Sequence, residues 1–461
     1  MKLFPDDPTF IVGDVGFDEP DPATNQPFDV LGRKPIGQKL TDLVDRIQQP
    51  LVIALDGGWG SGKSHFLKLW TGAHKLELGG KANVIYFDAF EHDFLDDPLI
   101  SLVSRLTSEK AEATWGGTAI GAVKKAAFPL AKLALRVGLA VATAGVTEAV
   151  GAALGDVAIA KVSDVSDGAI DQFWKAEADR IAAMQGFREA LTNLTQPTKE
   201  GDAAQKLVFV VDELDRCRPD YALSLLEIIK HFFAVPNVHF VLGANLAALE
   251  NSVRARYGDR IEAAKYLQKF VSLTMHLPKA LLSNPKVNAS MSYFQAMVAN
   301  FVQSPKLYDE CLHRFTRPVA LQDASLRDVQ RLLTCMALLP NNFDRRSEGY
   351  KTMIVGALYM KVLHPTKYLQ LRAQRISLEE IVECLSLEKP KTEHDNEKHH
   401  QDWAVWAYAL EGPGVLKAPT VPTYYAEAVP NSFDGYGHGF RWQTAHAIFA
   451  EAFDSFTLPN P

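Results

Sequence analysis

The sequence predicts an α/β protein: a parallel sheet whose strands alternate with helices, interrupted by one helical insertion and followed by a mostly helical C-terminal region. Three observations predict it. Short, continuous apolar runs recur with helical stretches between them, a glycine-rich turn follows the first run, and beyond about residue 278 the pattern becomes helical. Unbroken apolar runs suit strands buried on both faces, and their alternation with helices implies βαβ units.

Residues 1–30 are rich in Asp and Pro and read as an extended arm. A helix is predicted from Pro35 to Ile47, with Leu40, Leu43, Val44 and Ile47 on one side. Strands follow at Leu51 to Leu55, Val84 to Phe87, Leu207 to Val211 and Val238 to Leu242, with a looser run from Val271 to Leu277. The stretches from His65 to Trp70 and from Tyr221 to Phe233 are helical. The interval from Phe87 to Leu207 is far longer than the dozen or so residues a crossover needs. Within it, Thr114 to Ala160 is dominated by Ala, Gly and Val and reads as an inserted helical hairpin, with a returning helix from Ser166 to Leu194.

Helices are then predicted at Ser290 to Phe301, Leu326 to Leu339, Lys351 to Val362 and Leu378 to Leu385. Lys389 to Gln401 is charged and reads as an exposed linker or loop. The aromatic tail from Trp403 is expected to fold onto something, and the scatter of its rings among prolines and alanines suggests core or interface packing rather than stacking on bases. The predicted division is an arm over 1–30, a nucleotide-binding core over 31–111 and 161–278, the insertion over 112–160, a helical domain over 279–390, and a linker with aromatic tail over 391–461.

Of the 461 residues, 47% are apolar and 22% charged, with a formal net charge of −7. This acidic balance supplies no global attraction to nucleic acid or to an anionic membrane. The four cysteines (Cys217, Cys311, Cys335 and Cys384) form no CxxC pair. That spacing argues against a disulfide framework or zinc ribbon and suits a reducing cytosol. Met1 to Pro8 lacks the basic and apolar stretches of a signal peptide, so a cytoplasmic location is expected.

The chemistry concentrates in three strand ends. Gly57-Gly58-Trp59-Gly60-Ser61-Gly62-Lys63-Ser64 fits G-x-x-x-x-G-K-[ST] and sits between a buried strand and a helix. Glycines let successive N–H groups point at phosphate oxygens, and the helix adds its positive end, with His65 next in line. Lys63 is placed to reach the β- and γ-phosphates, and Ser64 to offer a hydroxyl to Mg²⁺. The run from Leu207 to Val211 ends in Asp212 and Glu213, which reads as a Walker B element. Asp212 would hold the Mg²⁺ shell and Glu213 would act as general base, unless the pair merely caps the next helix. Asn245, at the tip of a further strand, either orients the attacking water or caps the helix behind it. Arg216 and Arg218 could neutralise developing charge, pair with Asp215 or contact a neighbouring subunit; Arg254, Arg256, Arg260, Arg327 and Arg331 are further candidates.

With these residues in view, the chain resembles the KAP family of P-loop NTPases. The resemblance lies in Asp212-Glu213-Leu214-Asp215-Arg216-Cys217 with the Leu-rich helix ending Lys230-His231-Phe232-Phe233, and in Phe87-Asp88-Ala89-Phe90. It extends to Tyr257-Gly258, to Tyr266-Leu267-Gln268-Lys269-Phe270, and to Ser325-Leu326-Arg327-Asp328-Val329-Gln330-Arg331-Leu332. It spans roughly residues 28 to 340. The resemblance implies an additional-strand P-loop fold, ATP rather than GTP as substrate, Mg²⁺ as cofactor, and work as a regulated switch or motor. In bacteria it implies defence against phage or plasmids beside a nuclease or other effector, an expectation by analogy.

Many family members carry transmembrane helices between the two motifs, where this chain has its insertion. Its longest candidate span, Val137 to Gly155, contains Glu148, and a central acid costs about 2.5–3.5 kcal/mol in hydrocarbon. A hairpin that binds a protein partner or another subunit is therefore expected, and a membrane span is not. His394, His399 and His400 stand among charged residues and read as a solvated loop, with metal binding as the alternative. Three functions compete: an ATPase that drives or times assembly, a nucleotide-gated scaffold with negligible turnover that recruits an effector, and a nucleic-acid motor or sensor.

Overall fold

The computed structural model describes residues 11–22, 27–95, 97–108, 115, 117–129, 167–197, 204–301, 305–315, 321–339, 343–395, 397–433 and 440–454. Five strands, β1 (Leu51–Asp56), β2 (Asn83–Asp88), β3 (Leu207–Asp212), β4 (Val238–Ala244) and β5 (Leu273–His276), form one sheet in the order β2-β3-β4-β1-β5. Every pairing is parallel. The predicted strands are all present, each within two residues of the expected ends. β4 lies between the strand that feeds the glycine turn and the strand that ends in Asp212, as the additional-strand fold requires.

The central strands β3 and β4 are buried throughout, which explains their unbroken apolar runs, whereas the edge strand β5 is mostly exposed. Alternate residues of β3 separate to the two sides: Leu207, Phe209 and Val211 join one core, and Val208 and Val210 the other. On the first side Phe209 and Phe240 stack with centroids 5.0 Å apart, and Phe233 meets both edge-on at 5.4 and 5.5 Å. That side is covered by the helices Pro98–Leu106, Asp167–Leu194, Pro219–Phe232 and Leu246–Tyr257. The second side is covered by Lys34–Arg46 and Lys63–Leu76.

Part of the predicted insertion belongs to the first core. Residues 117–129 are helical, and Ile120, Val123 and Ala127 are buried among the sheet residues. The rest of the predicted insertion, 112–114, 116 and 130–160, lies outside the described residues. No helix among the described residues is long and apolar enough to cross a membrane.

The arm is anchored rather than detached. Phe17 is buried 5.7 Å from the Phe66 ring, and the N–H groups of Phe17 and Asp18 donate to the Glu77 carboxylate at 3.1 and 3.0 Å. Gly72 is required there, since an added Cβ would lie 2.2 Å from the Val15 carbonyl oxygen.

A third core runs from Phe294 to Phe453. Glu348–Leu363 is its central helix, buried from Gly349 through Met360. The sequence division at 390/391 meets no break in this core, and Lys389 to Gln401 is not simply a linker. A helix begins at Lys398 and runs to Glu411, with His400, Asp402, Trp403 and Trp406 buried. The hydrophilic run misleads because it joins a surface turn to the first turn of a helix whose apolar residues come later.

Candidate functional site

β1 ends at Asp56, and the chain turns through Gly57 to Gly62 into the helix Lys63–Leu76. Gly60 and Gly62 take φ of +76° and +82°, a conformation that glycine adopts without the clash a Cβ would bring. Such a curl turns successive N–H groups toward an anion and ends at the positive end of a helix. The turn opens on a cleft of about 370 Å³ lined by Trp59 through His65, by Asp212, Glu213, Asp215 and Arg216, and by Leu326 and Arg327. Lys63 is only 8% exposed; its Nζ donates to the carbonyls of Gly57 at 2.6 Å and Gly58 at 3.2 Å. Burial lowers its pKa, opposed by the charges of Asp215, Asp212 and Asp56.

Asp212 closes the cleft from β3. Parallel pairing sets it across from Asp88 of β2 and Gly243 of β4. An added Cβ on Gly243 would lie 2.3 Å from Asp212 Oδ1 and 2.5 Å from Leu67 Cδ1. Glycine there lets the acidic strand and the P-loop helix approach each other. Asp212 is 1% exposed and accepts hydrogen bonds from Tyr86 Oη at 2.8 Å, the Glu213 N–H at 2.9 Å and the Ser64 hydroxyl. Burial raises its pKa, and these three donors work against that rise. The residues fit a magnesium ion: a buried carboxylate beside a hydroxyl is a hard oxygen pair, and a divalent cation would offset the charge that burial penalises. They fit a phosphate too, because Ser61 Oγ is buried in the turn without a partner among the described residues.

Glu213 sits in the left-handed region at φ 58°, ψ 26°, uncommon for a side chain of its kind. Burial raises its pKa, and the guanidinium of Arg216, 2.9 Å from its Oε2, pulls it back down. Trp59 at the tip of the turn donates through Nε1 to Asp215 at 2.6 Å, tying the turn to the loop after β3. Lys63, Ser64, Asp212, Glu213, Arg216 and Arg327 are therefore brought together. Six predicted residues are not, among them Arg254, Arg256 and Arg260, which lie outside the cleft lining. Arg218 binds Asp93 through its N–H at 3.0 Å and its guanidinium at 2.5 Å. Asn245 caps the helix Leu246–Tyr257, accepting the Ala248 N–H at 3.4 Å, and Arg331 lies outside the cleft lining.

Sequence reasoning missed two residues that hold the site. Arg33, 7% exposed, donates through Nη1 to the Ser61 carbonyl at 3.0 Å and to that of Gly62 at 3.5 Å. Asp29 accepts the N–H groups of Arg33 at 2.8 Å and Lys34 at 2.7 Å, anchoring it. Burial lowers the Arg33 pKa to about 10, and Asp29 partly restores it. Tyr86 reads in the sequence as one more apolar strand residue. Neither position carries a local signal. The arm also forms a wall of the cleft from Pro27 to Leu31, where His65 Nε2 donates to the Phe28 carbonyl at 2.9 Å.

Comparison with known proteins agrees with this geometry. Residues 33–341 match the family described as the KAP family P-loop domain. No curated protein matches the chain. Among solved structures, the Aeropyrum pernix ORC2 protein, in ADPNP–ADP complexes, is similar with 10% identity and a TM-score of 0.31, covering 92% of this chain and 94% of that one. A superposition that loose adds nothing to the argument.

Proposed function

Since the chain belongs to the KAP family of P-loop NTPases, we propose that it is a magnesium-dependent ATPase acting as a regulated switch or motor in a multi-protein assembly. The observation that carries this reading is the convergence of Lys63, Ser64, Asp212 and Glu213 on one cleft. Ser64 and Asp212 would hold the magnesium ion, which when bound supplies positive charge at the β- and γ-phosphates. Lys63 exchanges its hold on the Gly57 and Gly58 carbonyls for those phosphates. Glu213, once released from Arg216, takes a proton from the water that attacks the γ-phosphorus, and ADP departs. Arg216 and Arg327, which line the cleft, would stabilise the developing charge. Work in the cytoplasm in defence against phage or plasmids, within an oligomer and beside a nuclease or other effector, follows from the family resemblance.

A second reading has one observation in its favour. The ion pair between Glu213 and Arg216 occupies the general base, which suits a scaffold that binds ATP, turns it over negligibly and recruits an effector. Phosphate release and ATP retention by purified protein separate the two. Under the first reading Lys63→Ala abolishes turnover, and Glu213→Gln binds ATP but traps it. Wild-type turnover in Lys63→Ala would refute the site assignment, and a wild type that retains ATP as well as Glu213→Gln does would favour the scaffold. Stimulation by DNA or RNA at low salt would instead favour a nucleic-acid motor.

A further inference from the structure

A second cluster of chemically able side chains lies outside the nucleotide cleft, in the C-terminal core. Glu388, His399 and His400 each bring one donor atom to within 4.8 Å of the others. We propose that these three residues bind one divalent transition-metal ion of the zinc class. The ion would clip the segment after the helix Leu378–Cys384 to the first turn of Lys398–Glu411.

The spacing suits shared coordination. His399 Nε2 and Glu388 Oε2 form an ion-pair contact at 3.6 Å. Two ligands about 2.0–2.1 Å from one tetrahedral ion lie about 3.3 Å apart, so a small rotation of the exposed Glu388 side chain completes the pair. The other nitrogen of His399, Nδ1, lies 3.3 Å from Glu397 Oε2. A carboxylate in that place is what orients a ligating imidazole and raises its basicity.

The third ligand supplies an independent observation. His400 is 9% exposed, and its ring centroid is 4.1 Å from that of His399. Its Nδ1 is buried and has no hydrogen-bond partner among the described residues. An unsatisfied buried nitrogen is costly, and proteins seldom keep one without a use. Two imidazoles and one carboxylate suit zinc with a fourth position left to water, whereas magnesium and calcium prefer oxygen donors alone. The clip would fix the surface loop from Lys389 to Glu397 against the helix that carries Trp403 and Trp406 into the core.

The test uses the full chain, stripped with a chelator, free of nucleotide and titrated with zinc chloride against a chromogenic zinc indicator. One zinc per chain is expected, and cobalt in its place should give the visible bands of a four-coordinate site. His400→Ala risks the fold, so the deciding variants are at exposed positions. Glu388→Gln should weaken zinc at least about tenfold, and Glu397→Gln about 10–100-fold, with circular dichroism unchanged. Asp212→Asn, which alters the metal-holding carboxylate of the nucleotide cleft, should bind zinc like the wild type, separating this site from the cleft. The proposal is overturned if the wild type binds no stoichiometric zinc, or if Glu388→Gln binds it as tightly as the wild type.

Discussion

The Leu326 N–H donates to the Gly60 carbonyl at 2.9 Å, so the helical region meets the phosphate-binding turn backbone to backbone. The capping box of Ser325 and Asp328 holds that helix end in place. Movement of the helical region is thereby tied to the shape of the turn. A nucleotide switch needs such a link.

Gly60→Ala should break the link. An added Cβ would lie 2.7 Å from Arg327 Cβ and 2.8 Å from Ser325 Oγ, at a φ of +76°. The backbone strain alone costs about 1–2 kcal/mol. Denaturant unfolding should show a loss of at least that size, and nucleotide titration should show weaker binding. An unchanged unfolding midpoint would contradict the contact.

Arg33→Met should weaken nucleotide binding without touching the nucleotide. The guanidinium holds the carbonyls of Ser61 and Gly62, and a hydrogen bond from a charged group contributes about 1.5–3 kcal/mol. Affinity for a fluorescent ATP analogue is therefore expected to fall about 10–100-fold, with partial recovery in Arg33→Lys. Equal affinity in Arg33→Met and wild type would show that the turn holds its shape unaided.

Tyr86→Phe should move the acid limb of the pH–activity profile toward higher pH. Burial already raises the pKa of Asp212, and the Tyr86 hydroxyl, 2.8 Å away, stabilises the charged form. Without that donor the carboxylate takes up a proton at higher pH. The readout is the pH dependence of phosphate release, and an unmoved limb would mean that ionisation of Asp212 does not set it.

Two buried histidines should make the fold acid-sensitive. Burial lowers the pKa of both His74 and His239 to about 4. Unfolded, each titrates near 6.5, so the unfolded chain binds more protons between those values. Their contribution is fully present above about pH 6.5 and is lost as pH falls toward 4, by about 3 kcal/mol each at most. His239→Phe should flatten the slope of unfolding free energy against pH in that window. An unaltered slope would place the acid sensitivity elsewhere.

Much of the fold was legible because the central strands had to be apolar on both faces. Leu207 through Val211 read as buried from the letters alone, and β3 is buried throughout. The cleft was legible for a different reason, since Gly60, Gly62, Lys63 and Ser64 act through consecutive backbone and so stand together in sequence. Arg33 and Tyr86 were illegible, as each reaches its partner across a long separation, Tyr86 meeting Asp212 at 126 positions. The C-terminal region misled because charge between Lys389 and Gln401 marks a surface loop and says nothing of the helix that follows it.

The sequence by itself determined the parallel sheet, the phosphate-binding turn and the acidic strand end, for these arise from periodicity and from backbone freedom within a few residues. Tertiary structure alone decided which arginines face the cleft, what braces the turn from behind, and which core the aromatic tail joins. Gly356 makes the point: an added Cβ would lie 2.8 Å from Trp406 Cζ2, and no local pattern predicts that meeting. Contacts between distant segments depend on close packing in three dimensions, which leaves no periodic trace in either segment.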